Sequence, residues 1–347
     1  MHFSKTITDW YSAHKRDLPW RLTQNPYHIW LSEIILQQTQ VNQGLPYYET
    51  FVKEFPTVFD LAKASEQIVL KHWQGLGYYS RARNLHHTAK TVVEEYGGVF
   101  PTTYKELIQL KGIGDYTASA ISSICSDEAC AVVDGNVYRV LARYFGMATP
   151  INSSKGVKAF KALAQELIPQ TNVGTYNQAI MEFGSRQCKP QNPNCLICPL
   201  NASCVALKDK RIAELPVKDN KTKVRKRFFN YLVFVSDDNR TILQKRQGKG
   251  IWQNLYEFPL VETEKSLTKN TFKNHEKIRS MLNGNIQDVT LYNEKDIVHK
   301  LSHQHLYTKF WIVNTPKLSS KDTIECASID KYPVPILIKN FLDGFSF

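Results

Sequence analysis

Along roughly the first two-thirds of the chain, apolar residues return at helical spacing. Ile7, Trp10 and Tyr11 begin the pattern. The next helix is more sharply marked: Asn25 can cap it, Pro26 suits its first position, and Trp30, Ile34 and Val41 share one side. On a 100° wheel Glu33, Gln37 and Gln40 border that stripe, so one carboxylate and a row of amides stand beside apolar walls. Short helical runs over 51–55, 61–64 and 68–73 lead into the bend Gly75-Leu76-Gly77-Tyr78-Tyr79-Ser80-Arg81. Two more, over 104–110 and 116–124, flank Lys111-Gly112-Ile113-Gly114-Asp115, and Val137, Val140, Leu141 and Tyr144 mark a helix that opens just after Asp134.

The pattern breaks at 208–227, where nine Lys/Arg stand against three Asp/Glu. This reads as a solvated basic linker. Beyond it, 228–235, 241–246 and 305–313 read as strands, and 271–282 and 336–341 as helices. The expected organisation is therefore a mainly α region over 1–207, a linker over 208–227 and an α+β unit over 228–347. A chain of 347 residues suits two cores better than one.

Charge adds a partner to this outline. A formal net charge of +12 points to a polyanion, with phosphate backbones the commonest attractor. No apolar run is long enough to span a bilayer, and the opening residues lack a signal-peptide or transit pattern, so a reducing cytoplasm is expected.

The densest candidate chemistry is Cys188, Cys195, Cys198 and Cys204, at spacings C-x6-C-x2-C-x5-C. Four thiols in so short a segment suit a metal. Zinc modules usually bring two tight pairs, whereas one pair flanked by single cysteines suits an iron–sulfur cube with one thiolate per iron. Seven cysteines, an odd number, argue against a disulfide framework.

Glu33 beside apolar walls would hold its proton near neutrality, although its position equally suits a solvated surface glutamate. Asp134, just before a helix start, should stay ionised in the field of that terminus, although the position also suits a plain cap. A pair with opposite shifts is what glycosidic cleavage through an oxocarbenium-like state requires. The Gly112–Gly114 hairpin can free backbone N–H groups for phosphate, and the rings and arginines of 75–83 suit stacking on bases.

Several long runs, taken together, resemble the MutY-type adenine DNA glycosylases. They are Leu18-Pro19-Trp20-Arg21, the run from Ser32 to Val41, the bend from Gly75 to Arg81, the stretches 110–116, 133–137 and 177–184, and the cysteine quartet. The resemblance implies a helix-hairpin-helix glycosylase with a [4Fe-4S] cluster and a Nudix-like C-terminal domain. It would remove adenine opposite 8-oxoguanine or guanine in double-stranded DNA, as a monomer of the bacterial cytoplasm, associated with the nucleoid.

Residue by residue, the resemblance implies Glu33 as general acid, Asp134 as the carboxylate facing the sugar cation, and Asn136 and Tyr116 as positioning groups. Glu182 matches an acidic position near the site. Arg21, Gln38, Tyr78, Gly112, Gly114, Ser302 and His303 match positions that meet DNA.

Two departures qualify the match. Leu301-Ser302-His303 stands where the family reads Phe-Ser-His, which weakens shape filling there and keeps the polar groups. After Pro259 the acidic Nudix helix is missing, so no pyrophosphatase is expected. Tyr116 stands where the related endonuclease III group has a nucleophilic lysine, so strand cleavage is not expected. The alternatives are an endonuclease III-like enzyme for oxidised pyrimidines and a catalytically silent mismatch binder.

Overall fold

The structure, a computed structural model, describes residues 2–219, 224–282 and 286–347. The chain divides into two compact units, Met1–Lys63 with Asn84–Asn220, and Ala64–Arg83 with Lys221–Phe347.

The helices up to residue 208 are α1 (His2–His14), α2 (Pro26–Leu36), α3 (Val41–Glu54), α4 (Val58–Lys63), α5 (Glu66–His72), α6 (Ser80–Tyr96), α7 (Tyr104–Leu107), α8 (Asp115–Ser126), α9 (Gly135–Tyr144), α10 (Ser154–Glu166), α11 (Val173–Arg186) and α12 (Val205–Lys208). Within the first unit α1 packs far from its place in sequence. Phe3, Ile7 and Tyr11 enter the core of Val137, Val140 and Leu141 from α9 and Tyr176, Ile180 and Phe183 from α11. The Tyr11 hydroxyl donates to Gln178 Oε1 at 2.8 Å. The N-terminal stripe thus finds its partner in the helix that leads into the cysteines.

Several boundaries differ from the sequence reading. Helix α2 starts as expected, with Asn25 accepting from the Tyr27 amide and Pro26 in its first position. It ends at Leu36, however, and Val41 opens α3 instead of continuing the stripe. Residues 108–110 turn out of helix after α7. The segment Ala64–Arg83, read as part of the helical region, belongs to the second unit. There Asn254 donates to Glu66, the Tyr256 hydroxyl to Gln67, and Arg83 to the Gln253 carbonyl.

Much of the expected linker is anchored. Leu215 is 2% exposed, its carbonyl accepts from Arg143, and Val217 accepts from the Ile151 amide. Residues 225–227 already form strand, and 220–223 lie outside the described residues.

In the second unit the strands are β1 (Arg225–Ser236), β2 (Arg240–Ile242), β3 (Gln244–Lys245), β4 (Tyr256–Glu257), β5 (Leu260–Thr263), β6 (Asp288–Leu291), β7 (Ile297–Leu301), β8 (Gln304–Thr315) and β9 (Thr323–Glu325). The main sheet runs β5-β1-β8-β6, with β7 also on β8, and its long central pair β1 and β8 is parallel. The expected strand over 241–246 is split between β2 and β3, and the expected helix over 271–282 is two short ones, α13 (Lys269–Lys273) and α14 (Glu276–Met281).

Successive residues of a strand face opposite sides. Trp311 stacks on Phe272 of α13 at 3.8 Å between ring centres, while Phe310 stacks on Phe341 of α15 (Ile336–Gly344) at 4.1 Å. Helices therefore cover both faces of the sheet. Strands β7 and β8 pair from Ile297↔Thr308 to Leu301↔Gln304, which leaves Ser302 and His303 alone at the hairpin tip. Among the described residues no helix is long and apolar enough to cross a membrane.

Candidate active site and cysteine centre

A cavity of about 1050 Å³ opens in the first unit, lined among others by Glu33, Gln37, Tyr116, Asp134, Asn136 and Glu182. Its walls include α2, α8, α9 and α11, so Glu33 and Glu182, 149 positions apart in sequence, meet at one void.

Helix α2 brings Glu33 to the wall. Burial pushes its carboxyl up to about 7, Asp134 nearby adds to the rise, and a hydrogen bond from Tyr116 opposes it. Tyr116 Oη also donates to Met181 Sδ at 3.2 Å. Burial and the two carboxyls raise the Tyr116 hydroxyl well above its ordinary value, which keeps it protonated and able to donate. Gln37, at the end of α2, donates to Thr117 at 3.1 Å and ties this wall to α8.

Asp134 caps α9. Its Oδ1 accepts from the amides of Asn136 at 2.9 Å and Val137 at 2.8 Å, and its Oδ2 accepts from Asn136 Nδ2 at 2.7 Å. These donors favour the ionised form, yet burial outweighs them and the net shift is upward. The expected opposition of shifts does not hold: both carboxyls are raised, because desolvation dominates at each. What separates them is hydrogen bonding, since three donors converge on Asp134.

Glu182 departs from a freely ionisable site acid. It is 1% exposed and forms a fork with two guanidinium groups, Arg16 Nε and Nη2 at 2.8 and 2.6 Å and Arg21 Nη2 at 2.8 Å. The arginines hold its carboxyl down to about 2 against the cost of burial. Arg21, read as a DNA contact, is occupied by this pair and by the Arg16 carbonyl, and its side chain is 12% exposed. It lines the cavity rather than an outer face.

The sequence reading missed Arg139 and Arg143. Arg139 donates to the carbonyls of Gly135, Gly184 and Cys188 and to Asn136 Oδ1, at 2.7 to 3.2 Å. Arg143 donates to the carbonyls of Lys189, Pro190 and Leu215 and lies 3.5 Å from Cys188 Sγ. Two arginines four residues apart on the core side of an amphipathic helix were the available signal. Arginine is seldom buried without partners.

The hairpin residues behave as their chemistry suggests. Gly112 has φ +82, and a β-carbon there would lie 2.7 Å from Asn84 Cβ. Gly114 precedes α8 without any side-chain cap, and Asp115 is drawn aside to Lys161 and the Tyr104 hydroxyl, both at 2.9 Å. The first amides of α8 are thereby left for an anion. Gln38 is exposed in the left-handed region with φ +54, a strained conformation for a residue with a side chain.

In the second unit Tyr78, also left-handed and 47% exposed, shares a 2.9 Å hydrogen bond with Ser302 at the β7–β8 tip. His303 beside it is exposed, and its carbonyl accepts from the Arg225 amide. The helices after Pro259 carry Lys269, Lys273 and Lys277 rather than an acidic ligand set.

Cys188, Cys195, Cys198 and Cys204 line one small cavity, all as free thiols. Among the described residues no three His, Cys, Asp or Glu side chains converge as ligands of a single ion. Four soft donors around one void, with no carboxylate or imidazole lining it and Arg143 at its edge to offset negative charge, fit an iron–sulfur group.

Comparison with known proteins agrees with this picture. Residues 31–191 match the HhH-GPD superfamily of base excision DNA repair proteins, and residues 230–344 match the NUDIX domain. The adenine DNA glycosylase of Buchnera aphidicola subsp. Baizongia pistaciae is 36% identical over 313 residues, 90% of this chain and 86% of that protein. The adenine DNA glycosylase of Rattus norvegicus is 45% identical over 213 residues, 59% of this chain and 41% of that protein. The solved structure of a thermostable thymine-DNA glycosylase superposes with a TM-score of 0.56 at 31% identity, covering 60% of this chain and 95% of that one. With a helical glycosylase region and a Nudix-like domain in one chain, and near-full-length similarity to its bacterial relative, the protein belongs to the adenine DNA glycosylase family of HhH-GPD base excision repair proteins.

Proposed function

We propose that the protein is a monofunctional glycosylase that hydrolyses the N-glycosidic bond of adenine opposite 8-oxoguanine or guanine in duplex DNA. The observation that carries this reading is Glu33, whose carboxyl is raised to about 7 on the same cavity as a three-fold hydrogen-bonded Asp134. Adenine leaves poorly as an anion. Protonating its ring from Glu33 makes the leaving group neutral, an effect worth about 10²- to 10⁴-fold in rate. As the bond breaks, positive charge grows on the sugar and Asp134 stabilises it, held in place by Asn136.

The cavity takes a base turned out of the helix. Gln38 and Tyr78 each match, by resemblance, a residue that intrudes into the duplex. Amides at Gly112–Gly114 hold the backbone. Ser302 and His303 offer a hydroxyl and an imidazole to the oxidised purine. Tyr116 is a phenol and cannot form the Schiff base that lyase chemistry needs. Cys188, Cys195, Cys198 and Cys204 would hold a [4Fe-4S] cluster. With all four irons saturated, the cluster supplies a structural clamp and no hydrolytic position.

Duplexes containing adenine opposite 8-oxoguanine, adenine opposite guanine, or an oxidised pyrimidine test the reading. Abasic sites should arise from the first two only, and strands should break only after alkali. Loss of the pyrimidine, or nicking without alkali by pure protein, would favour the endonuclease III-like alternative. Tight binding without base loss would favour a silent mismatch binder.

A further inference from the structure

Glycine inside a helix costs about 1 kcal/mol relative to alanine, so its presence there usually answers a need for space. Helix α11 contains Gly174 and Gly184. A β-carbon on Gly184 would lie 2.7 Å from Asn136 Cβ, 2.8 Å from Asn136 O and 3.0 Å from its carbonyl carbon. Two of these three atoms are backbone in the first turn of α9, so rotating a side chain cannot relieve the clash. The Gly184 carbonyl accepts from Arg139 Nη2 at 2.7 Å, and the same nitrogen donates to Asn136 Oδ1 at 2.8 Å. Close approach and hydrogen bond therefore act on one residue from two sides.

We propose that Gly184 is a positioning residue for excision: its bare α-carbon lets α11 seat against Asn136 and so fixes the turn that aims Asp134 into the cavity. This rests on the role given to Asp134 above. Every donor to Asp134 belongs to Asn136 or Val137, so a shift of this turn by a few tenths of an ångström moves all three hydrogen bonds together. Misplacement of a reacting group by about 1 Å can cost about 10²-fold in rate.

Gly174 supplies the control. A β-carbon there would lie 2.5 Å from Ser123 O and 2.7 Å from Ile124 Cα, an equally severe clash on the same helix with no atom of the α9 turn involved. The experiment compares Gly184→Ala, Gly174→Ala and Asp134→Asn in the full-length protein. It measures melting temperature, affinity for a duplex carrying a non-hydrolysable adenosine analogue opposite 8-oxoguanine, and single-turnover rate per active molecule.

Gly184→Ala should keep its affinity within about twofold and lose at least about 30-fold in rate, whereas Gly174→Ala should melt lower with an unchanged rate. A wild-type rate in Gly184→Ala overturns the proposal. So does joint loss of rate, affinity and fold, or recovery only as unfolded protein, because Gly184 would then be a packing residue like Gly174. An equal selective loss in Gly174→Ala also overturns it. If Asp134→Asn keeps full activity, the role of Asp134 falls, whereas an inactive Asp134→Asn beside a fully active Gly184→Ala defeats this inference alone.

Discussion

Glu33 on α2 and Glu182 on α11 line the same cavity, and burial pushes both carboxyls upward, yet one stands at about 7 and the other at about 2. Desolvation is the largest influence on each, and it acts upward on both. What differs is the company. Glu33 has a phenol and another carboxylate beside it, while Glu182 has two guanidinium groups within 2.8 Å. A carboxyl left without a counter-ion keeps its proton and can give it away. One gripped by two cations is a fixed charge that orders its surroundings. The difference teaches that burial alone does not decide whether a carboxyl keeps its proton; whether a cation faces it does.

Removing the proposed proton donor should have the largest effect. Glu33→Gln should lower single-turnover excision by about 10²- to 10⁴-fold while duplex affinity stays near wild type. In the wild-type protein the rate should fall as pH rises through about 7, since the proposed mechanism uses Glu33 in its protonated form. The same variant should be more stable at pH 8. A folded-state carboxyl raised from 4.5 to about 7 stabilises fully below 4.5, and that contribution is lost as pH rises through 7. Glu33→Gln should therefore gain on the order of 2 kcal/mol over wild type at pH 8 in denaturant melts and little at pH 4. Equal stabilities at pH 8 would remove burial as the cause of the raised Glu33 carboxyl.

Glu182→Gln should err in the opposite direction. It strands two partly buried arginines and should cost about 3 kcal/mol. A carboxyl lowered from 4.5 to about 2 contributes above 4.5 and loses that contribution as pH falls towards 2. Wild-type stability should decline across that window, and the decline should be shallower in the variant. If acid melts of the two proteins run parallel, the fork is not the source of the shift.

How far such a contrast could be read in the sequence depends on the kind of feature. The Asn25–Pro26 start of α2, the Asp134 cap and the Gly112–Gly114 hairpin were legible because local chemistry dictates each. The break after Leu36 was not, since Gln38 takes a left-handed conformation that no glycine or asparagine announces, and the apolar period runs on to Val41 unbroken. The partner of Arg21 was hidden for a related reason: the resemblance gives it only as a position that meets DNA, and the tertiary approach of α11 is what pairs it with Glu182. The rise at Asp134 was equally hidden, because a cap position reveals its donors and not the depth at which they sit. Residues 64–83 look like their helical neighbours in sequence, and their membership of the second unit rests on partners near 253–256 and 332–334.

The smallest effect is expected in the second unit, to which the proposed function gives selectivity and not rate. Tyr78 and Ser302 share one hydrogen bond at 2.9 Å, and the strained backbone of Tyr78, at φ +47, is held in a unit that also contains the hairpin. A hydrogen bond of this kind contributes about 1 kcal/mol, roughly fivefold in a ratio. Tyr78→Phe keeps the ring and the Ser302 hydroxyl but frees the tip, so it should lower the preference for adenine opposite 8-oxoguanine over adenine opposite guanine by a few-fold. The rate on the guanine pair should not change. Ser302→Ala removes the tie and the polar group together and should lower the ratio further. The two variants separate orientation from contact: if Tyr78→Phe leaves the ratio untouched while Ser302→Ala lowers it, Ser302 acts by direct contact and the tie to Tyr78 is incidental. If both lower the rate on the guanine pair as well, the tip serves general DNA binding, and the division between a unit that cuts and a unit that discriminates does not hold at this residue.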